Sequence, residues 1–127
     1  MIRFLGTTPD SSSIFPLLQS LCVQISHNYE KSLDLIPMKI SSLTNYFKKL
    51  LESATAEKPL YIFLDSLDQL SSQNSSHSLT WMPVSLPEHC KFVVTTLEGY
   101  YRIDETLRNM IEIDDNFEQV NIFFVGF

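Results

Sequence analysis

Pro59-Leu60-Tyr61-Ile62-Phe63-Leu64-Asp65-Ser66-Leu67-Asp68-Gln69-Leu70 is the stretch that decides the fold. An unbroken apolar run ending in an acid reads as a strand buried in a parallel sheet, with its carboxylate delivered to the sheet's carboxyl edge. Nucleotide-hydrolysing domains hold magnesium in this way, with a phosphate-cradling loop opposite. No Gly-x-x-x-x-Gly-Lys-Ser/Thr occurs in the sequence, and Gly6, Gly99 and Gly126 stand too far apart to build such a loop. The chain therefore reads as part of a nucleotide-binding module.

Working outward, Lys91-Phe92-Val93-Val94-Thr95-Thr96 is a second, β-branched strand that ends in hydroxyls. Upstream, Ile2 to Leu5 is a short extended run stopped by Gly6-Thr7-Thr8-Pro9-Asp10. A chain that starts on a strand suggests that Met1 interrupts a longer ancestral architecture. Ile14, Leu17, Leu18, Leu21, Cys22 and Ile25 share one helical face, predicting a helix from about Ser13 to His27 capped from Ser11 to Ser13. Pro16 falls in its first turn, where no amide hydrogen is needed. Pro37 opens a second predicted helix, carrying Ile40, Leu43, Phe47, Leu50 and Leu51 on one face until the stripe fades near Ala54. Ser71 to Ser76 reads as a mobile polar loop, Leu79 to Met82 as a short turn or helix, Ile103 to Met110 as a weaker helix and Met110 to Ile113 as a short strand. The tail Val120 to Phe127 is aromatic and uncharged, so it requires burial or invites strand pairing. Alternating strands and helices predict an α/β fold with a parallel sheet, which binds ligands outside the carboxyl ends of its strands.

That rim would gather Asp65, Ser66, Asp68, Thr95 and Thr96. Asp65 reads as a magnesium ligand, or as a cap of the next turn. Ser66 is small enough to leave space beside a metal or phosphate. Asp68, three residues on, suits a general base that orients an attacking water, or a solvated carboxylate at a helix start. Two carboxylates converging at one strand end repel unless a cation or a proton lies between them. Thr95 and Thr96 can hydrogen-bond a terminal phosphate, or simply end a strand. His27, His77 and His89 lack a spacing that puts two on one face, which disfavours zinc. Ser11 to Ser13 lack the Gly-x-Ser-x-Gly frame of a nucleophile elbow. Trp81 reads as filler of a core corner.

With 127 residues, 44% hydrophobic content and a net charge of −6, the chain suits one domain and disfavours a nucleic-acid partner. Lys48-Lys49, the only adjacent basic pair, reads as a solvated helix face. Cys22 and Cys90 read as reduced core residues, which fits a cytoplasmic location. No run reaches membrane-spanning length, and the opening Met1-Ile2-Arg3-Phe4-Leu5 is too short for a signal peptide. Asn74-Ser75-Ser76 matches the glycosylation pattern but reads as a polar loop.

Arg3 to Ser13, Leu17 to Ile25, the Asp65 strand, Trp81-Met82-Pro83 and Lys91 to Thr96, in that order, resemble the NACHT domain of NACHT and WD-repeat domain-containing proteins over roughly residues 2 to 114. The resemblance implies a signal-transducing P-loop NTPase with a three-layer fold, here partial and lacking the Walker A strand. It implies residues 1–114 as the partial domain and 115–127 as an apolar tail. It makes Asp65 the magnesium ligand of Walker B, Ser66 the small residue beside it, Asp68 the acidic position that follows, with the catalytic role, and Thr95 and Thr96 part of the sensor strand. Magnesium and ATP are the implied cofactors, and protein partners or self-association are expected. Leu97-Glu98 departs from the family, which often carries an arginine there. The implied sheet order sets the Walker A strand between the sensor strand and the last strand, so its loss would leave unpaired backbone on both neighbours. This chain alone is then expected neither to hold nor to hydrolyse ATP. The competing reading is a non-catalytic interaction module.

Overall fold

In the computed structural model, which describes residues 1–112 and 122–126, four strands form one parallel sheet in the order β1-β2-β3-β4. They are β1 (Ile2–Phe4), β2 (Leu60–Asp65), β3 (Cys90–Thr96) and β4 (Ile122–Gly126). Ile2 pairs with Phe63, Phe63 with Val93 and Val93 with Phe123, so corresponding residues form straight rows across the sheet. The helices are α1 (Ile14–Asn28), α2 (Ile40–Leu50) and α3 (Ile103–Glu112), with short 3-10 turns between them.

Local sequence explains most of these boundaries. Ser13 stands in extended backbone at the start of α1, and its carbonyl, not its side chain, accepts from Leu17 N–H. The apolar stripe of α1 is buried along its length, from Ile14 to Ile25. The second helix begins at Ile40, three residues after Pro37, because Ser32 to Leu35 already form a turn capped by the Ser32 hydroxyl and Lys39 is extended. Met110 lies inside α3, so the short strand expected from Met110 onward is helix as far as Glu112. Ile113, Val120, Asn121 and Phe127, also parts of the expected strand and tail, lie outside the described residues.

The strands advance across the sheet in chain order. Because parallel crossovers are right-handed, α1, α2 and α3 then fall on the same face. Phe47 of α2 meets Phe92 of β3 edge-on, with ring centroids 6.2 Å apart, and Arg3 of β1 donates to Ser20 and Gln24 of α1. Leu60, Ile62, Leu64, Cys90, Phe92 and Val94 point into that core. Their alternates, Tyr61, Phe63 and Val93, lie on the opposite face with Ile2 and Phe4.

Two expectations are corrected here. The strand β3 pairs directly with β4, so neither is left with the open backbone that loss of an intervening strand would produce. The Ser71–Ser76 segment is not a loose loop: it enters a 3-10 turn in which Ser76 is fully buried and donates to the Ser71 carbonyl. Trp81, buried as expected, donates its ring N–H to the Ser76 carbonyl at 2.9 Å.

Candidate functional site

The carboxyl ends of β2 and β3 bring Asp65, Ser66, Asp68, Thr95 and Thr96 to one cleft of about 200 Å³. Asp65 is the last residue of β2 and is half-buried. Its Oδ1 accepts from the Thr95 hydroxyl at 2.5 Å. Ser66 then turns into the left-handed region (φ 65°, ψ 57°), which costs a non-glycine residue about 1 kcal/mol. That twist aims the Ser66 N–H at Thr95 Oγ1, 2.8 Å away. Thr95 is thereby both donor and acceptor, a clamp between the β2 carboxylate and the backbone that follows it.

Asp68 sits in the 3-10 turn Leu67–Gln69, pinned by the fully buried Leu67. It is buried, and so corrects the reading of a solvated carboxylate. Its Oδ1 accepts from Leu97 N–H at 3.0 Å and from the Thr96 hydroxyl at 3.4 Å, and its Oδ2 from Gln69 Nε2 at 2.8 Å. The adjacent threonines thus serve opposite faces: Thr95 holds Asp65, and Thr96 holds Asp68. Sequence reasoning placed both at the rim but missed Leu97 N–H, which bonds Asp68 only because the loops after β2 and β3 meet, and Gln69, which bonds it as the next residue of the same turn.

Gly6, in the loop after β1, lies against the same turn. It takes φ +76°, and a Cβ added there would lie 2.7 Å from the Gln69 Cβ. The β1 loop therefore closes directly over the residue that bonds Asp68.

These donors and acceptors define what the cleft can hold. Asp65 Oδ2 has no partner among the described residues, while both oxygens of Asp68 are engaged. One available carboxylate oxygen beside hydroxyls suits magnesium, which takes one or two carboxylates and keeps several waters. A triphosphate is a different matter. Two rim amides are already donated, Ser66 N–H to Thr95 and Leu97 N–H to Asp68, and among the described residues no lysine or arginine lines the cleft. The residues fit the ion and not, by themselves, the nucleotide.

Elsewhere, Cys22 and Cys90 are free and fully buried, and burial pushes both thiols up to about 12, far from nucleophilic use. His77 stacks on Tyr101 and bonds the Leu70 carbonyl, holding the loop after β2. Among the described residues no group of three or more His, Cys, Asp or Glu could hold a metal ion, and no helix is long and apolar enough to cross a membrane. Glu98 pairs with Arg108 of α3 at 3.2 Å.

Fold and site together define an α/β domain with a parallel sheet and an acidic carboxyl rim. Comparison with known proteins narrows the class. The chain is 38% identical over 117 residues to the human NACHT and WD repeat domain-containing protein 2, a match covering 92% of this chain and 7% of that protein. It is 26% identical over 117 residues to the human NACHT domain- and WD repeat-containing protein 1, covering 87% of this chain and 7% of that protein. It is also 26% identical over 105 residues to tetratricopeptide repeat protein 41 of Rattus norvegicus, covering 76% of this chain and 8% of that protein. No family model matches, and no solved structure does. The chain is homologous to a segment of the NACHT and WD repeat domain-containing proteins and spans about 7% of the length of these relatives.

Proposed function

We propose that this chain supplies the magnesium-binding wall of an ATP-dependent assembly switch, and that it neither binds ATP tightly nor hydrolyses it alone. The observation that carries this reading is the clamp at the end of β2: Thr95 engages Asp65 Oδ1 and leaves Oδ2 at the rim. Asp65 would hold the ion through that oxygen, with Ser66 leaving room beside it. When bound, magnesium would neutralise charge on the phosphates of a nucleotide held by a second wall. Thr96 and Leu97 N–H, through Asp68, fix the spacing between the two strand ends. Asp68 in the role of general base would have to exchange one of these bonds for a water. Relatives named for WD and tetratricopeptide repeats support an assembly setting with protein partners, and buried unpaired cysteines support a reducing, cytoplasmic one.

The test is metal titration and melting of the same chain. Manganese, as a magnesium probe, should bind weakly, and Asp65→Asn should weaken that binding at least about tenfold. Magnesium-ATP should leave the melting temperature unchanged, because only a ligand that prefers the folded state raises stability. Manganese affinity indifferent to Asp65→Asn would refute the metal wall. Micromolar, magnesium-dependent ATP binding would refute the claim that a second wall is required.

A further inference from the structure

Asp65 is held on both flanks. On one side it pairs with Phe4, and its backbone carbonyl accepts from Leu5 N–H, just past β1, at 3.1 Å. On the other, Val94 pairs with Leu64, so sheet register sets Thr95 beside Asp65. Thr95 Oγ1 already accepts from Ser66 N–H at 2.8 Å, which leaves its one proton to Asp65 Oδ1. At 2.5 Å this bond lies in the short range of hydroxyls donating to carboxylates, roughly twice the strength of a neutral pair.

We propose that Thr95 selects the ion held by the metal wall, a role that rests on the reading of Asp65 as the ligand. By taking up Oδ1 it makes Asp65 a one-oxygen ligand, which favours small octahedral cations such as magnesium and manganese over calcium.

Coordination chemistry gives the reason. Calcium takes about six to eight oxygens in flexible geometry and gains from a carboxylate that grips it through both oxygens. Magnesium demands an octahedron, keeps several waters and needs no second oxygen from the same carboxylate. An ion gripped by both oxygens of Asp65 would share Oδ1 with the Thr95 hydroxyl hydrogen, and the two would compete for it. Asp68 offers no substitute: its Oδ1 is taken by Leu97 N–H and the Thr96 hydroxyl, and its Oδ2 by Gln69. The wall thus gives calcium no more oxygens than it gives magnesium, while an ion that stays mostly hydrated loses nothing to the clamp.

Titration of the full 127-residue chain with manganese, followed by the paramagnetic resonance of the free ion, and with calcium as competitor, tests the selection. Thr95→Val keeps the shape of the side chain and removes the proton donor. Calcium should then gain on manganese by at least about fivefold, a ratio that a merely structural loss, weakening both ions together, would not move. Thr95→Ser, which keeps the hydroxyl, should hold the ratio within about twofold of the parent chain. A second measurement leaves Thr95 in place. Infrared difference spectra with isotope-labelled aspartate, corrected by those of Asp65→Asn, report from the splitting of the carboxylate stretches whether calcium is held by one oxygen or two; one is expected. This measurement decides alone should Thr95→Val fail to fold. An unchanged ratio in Thr95→Val, an equal shift in Thr95→Ser, or calcium held by both oxygens in the parent chain overturns selection by Thr95 and leaves the metal wall standing. Manganese binding indifferent to Asp65→Asn overturns both.

Discussion

A threonine hydroxyl decides the geometry of the rim. Thr95 gives its proton to Asp65 and takes one from Ser66 N–H, so one oxygen atom spans two strand ends that lie 30 residues apart in sequence. Removing it orphans a half-buried carboxylate oxygen and a backbone amide together. Thr95→Val should therefore cost about 1–3 kcal/mol of stability by urea denaturation, whereas Thr95→Ser, which keeps the hydroxyl, should cost less than half as much. Equal losses from both substitutions would mean that the methyl group, not the clamp, matters. The sequence showed a β-branched strand ending in two hydroxyls. It did not show that strand alternation sends the first to Asp65 and the second to Asp68.

Among the elements, the tightest constraint is the join between the β1 loop and the turn that follows β2. Gly6 lies against Gln69, and Gln69 bonds Asp68. Gly6→Ala forces both a left-handed φ and a methyl into the Gln69 side chain, so a loss of about 2 kcal/mol or more is expected. Gly6→Ala/Gln69→Gly should recover the steric part only, leaving the backbone strain; full recovery in a thermal melt would show that φ carries no penalty there. Gly6 was legible as turn chemistry after Leu5. Its closeness to Gln69 was not, because 63 residues separate the two. The helices were easier to read, since an apolar stripe such as that of α1 is written locally and needs only some surface to cover.

For the whole molecule, the core lies between one sheet face and its helices, and it buries both thiols. Burial raises Cys22 and Cys90 from 9.0 to about 12. The unfolded chain therefore releases these protons first as pH climbs. Their contribution to stability is complete below about pH 9 and is lost between 9 and 12, by up to about 1.4 kcal/mol per pH unit per thiol. Urea denaturation at rising pH should show this decline, and the slope should shrink in Cys22→Ala/Cys90→Ala. An identical slope in that variant would assign the decline to other groups.

What the sequence determined by itself was local in origin: the strand that ends in Asp65, the β-branched strand that ends in Thr95 and Thr96, the stripe of α1, and the set of rim residues, because strand and helix periods are properties of neighbours along the chain. Only the tertiary structure decided the rest. It paired β4 directly with β3, where open backbone had been expected, because a parallel edge gains hydrogen bonds from whichever strand reaches it. It buried Asp68 under Leu97 N–H, because that group reaches it only after the crossover from β2 to β3 brings the two strand ends together, while Gln69 bonds it from within the same turn. And it gathered α1, α2 and α3 on one sheet face, because strands that advance in a single direction under a fixed handedness place their crossovers on the same side.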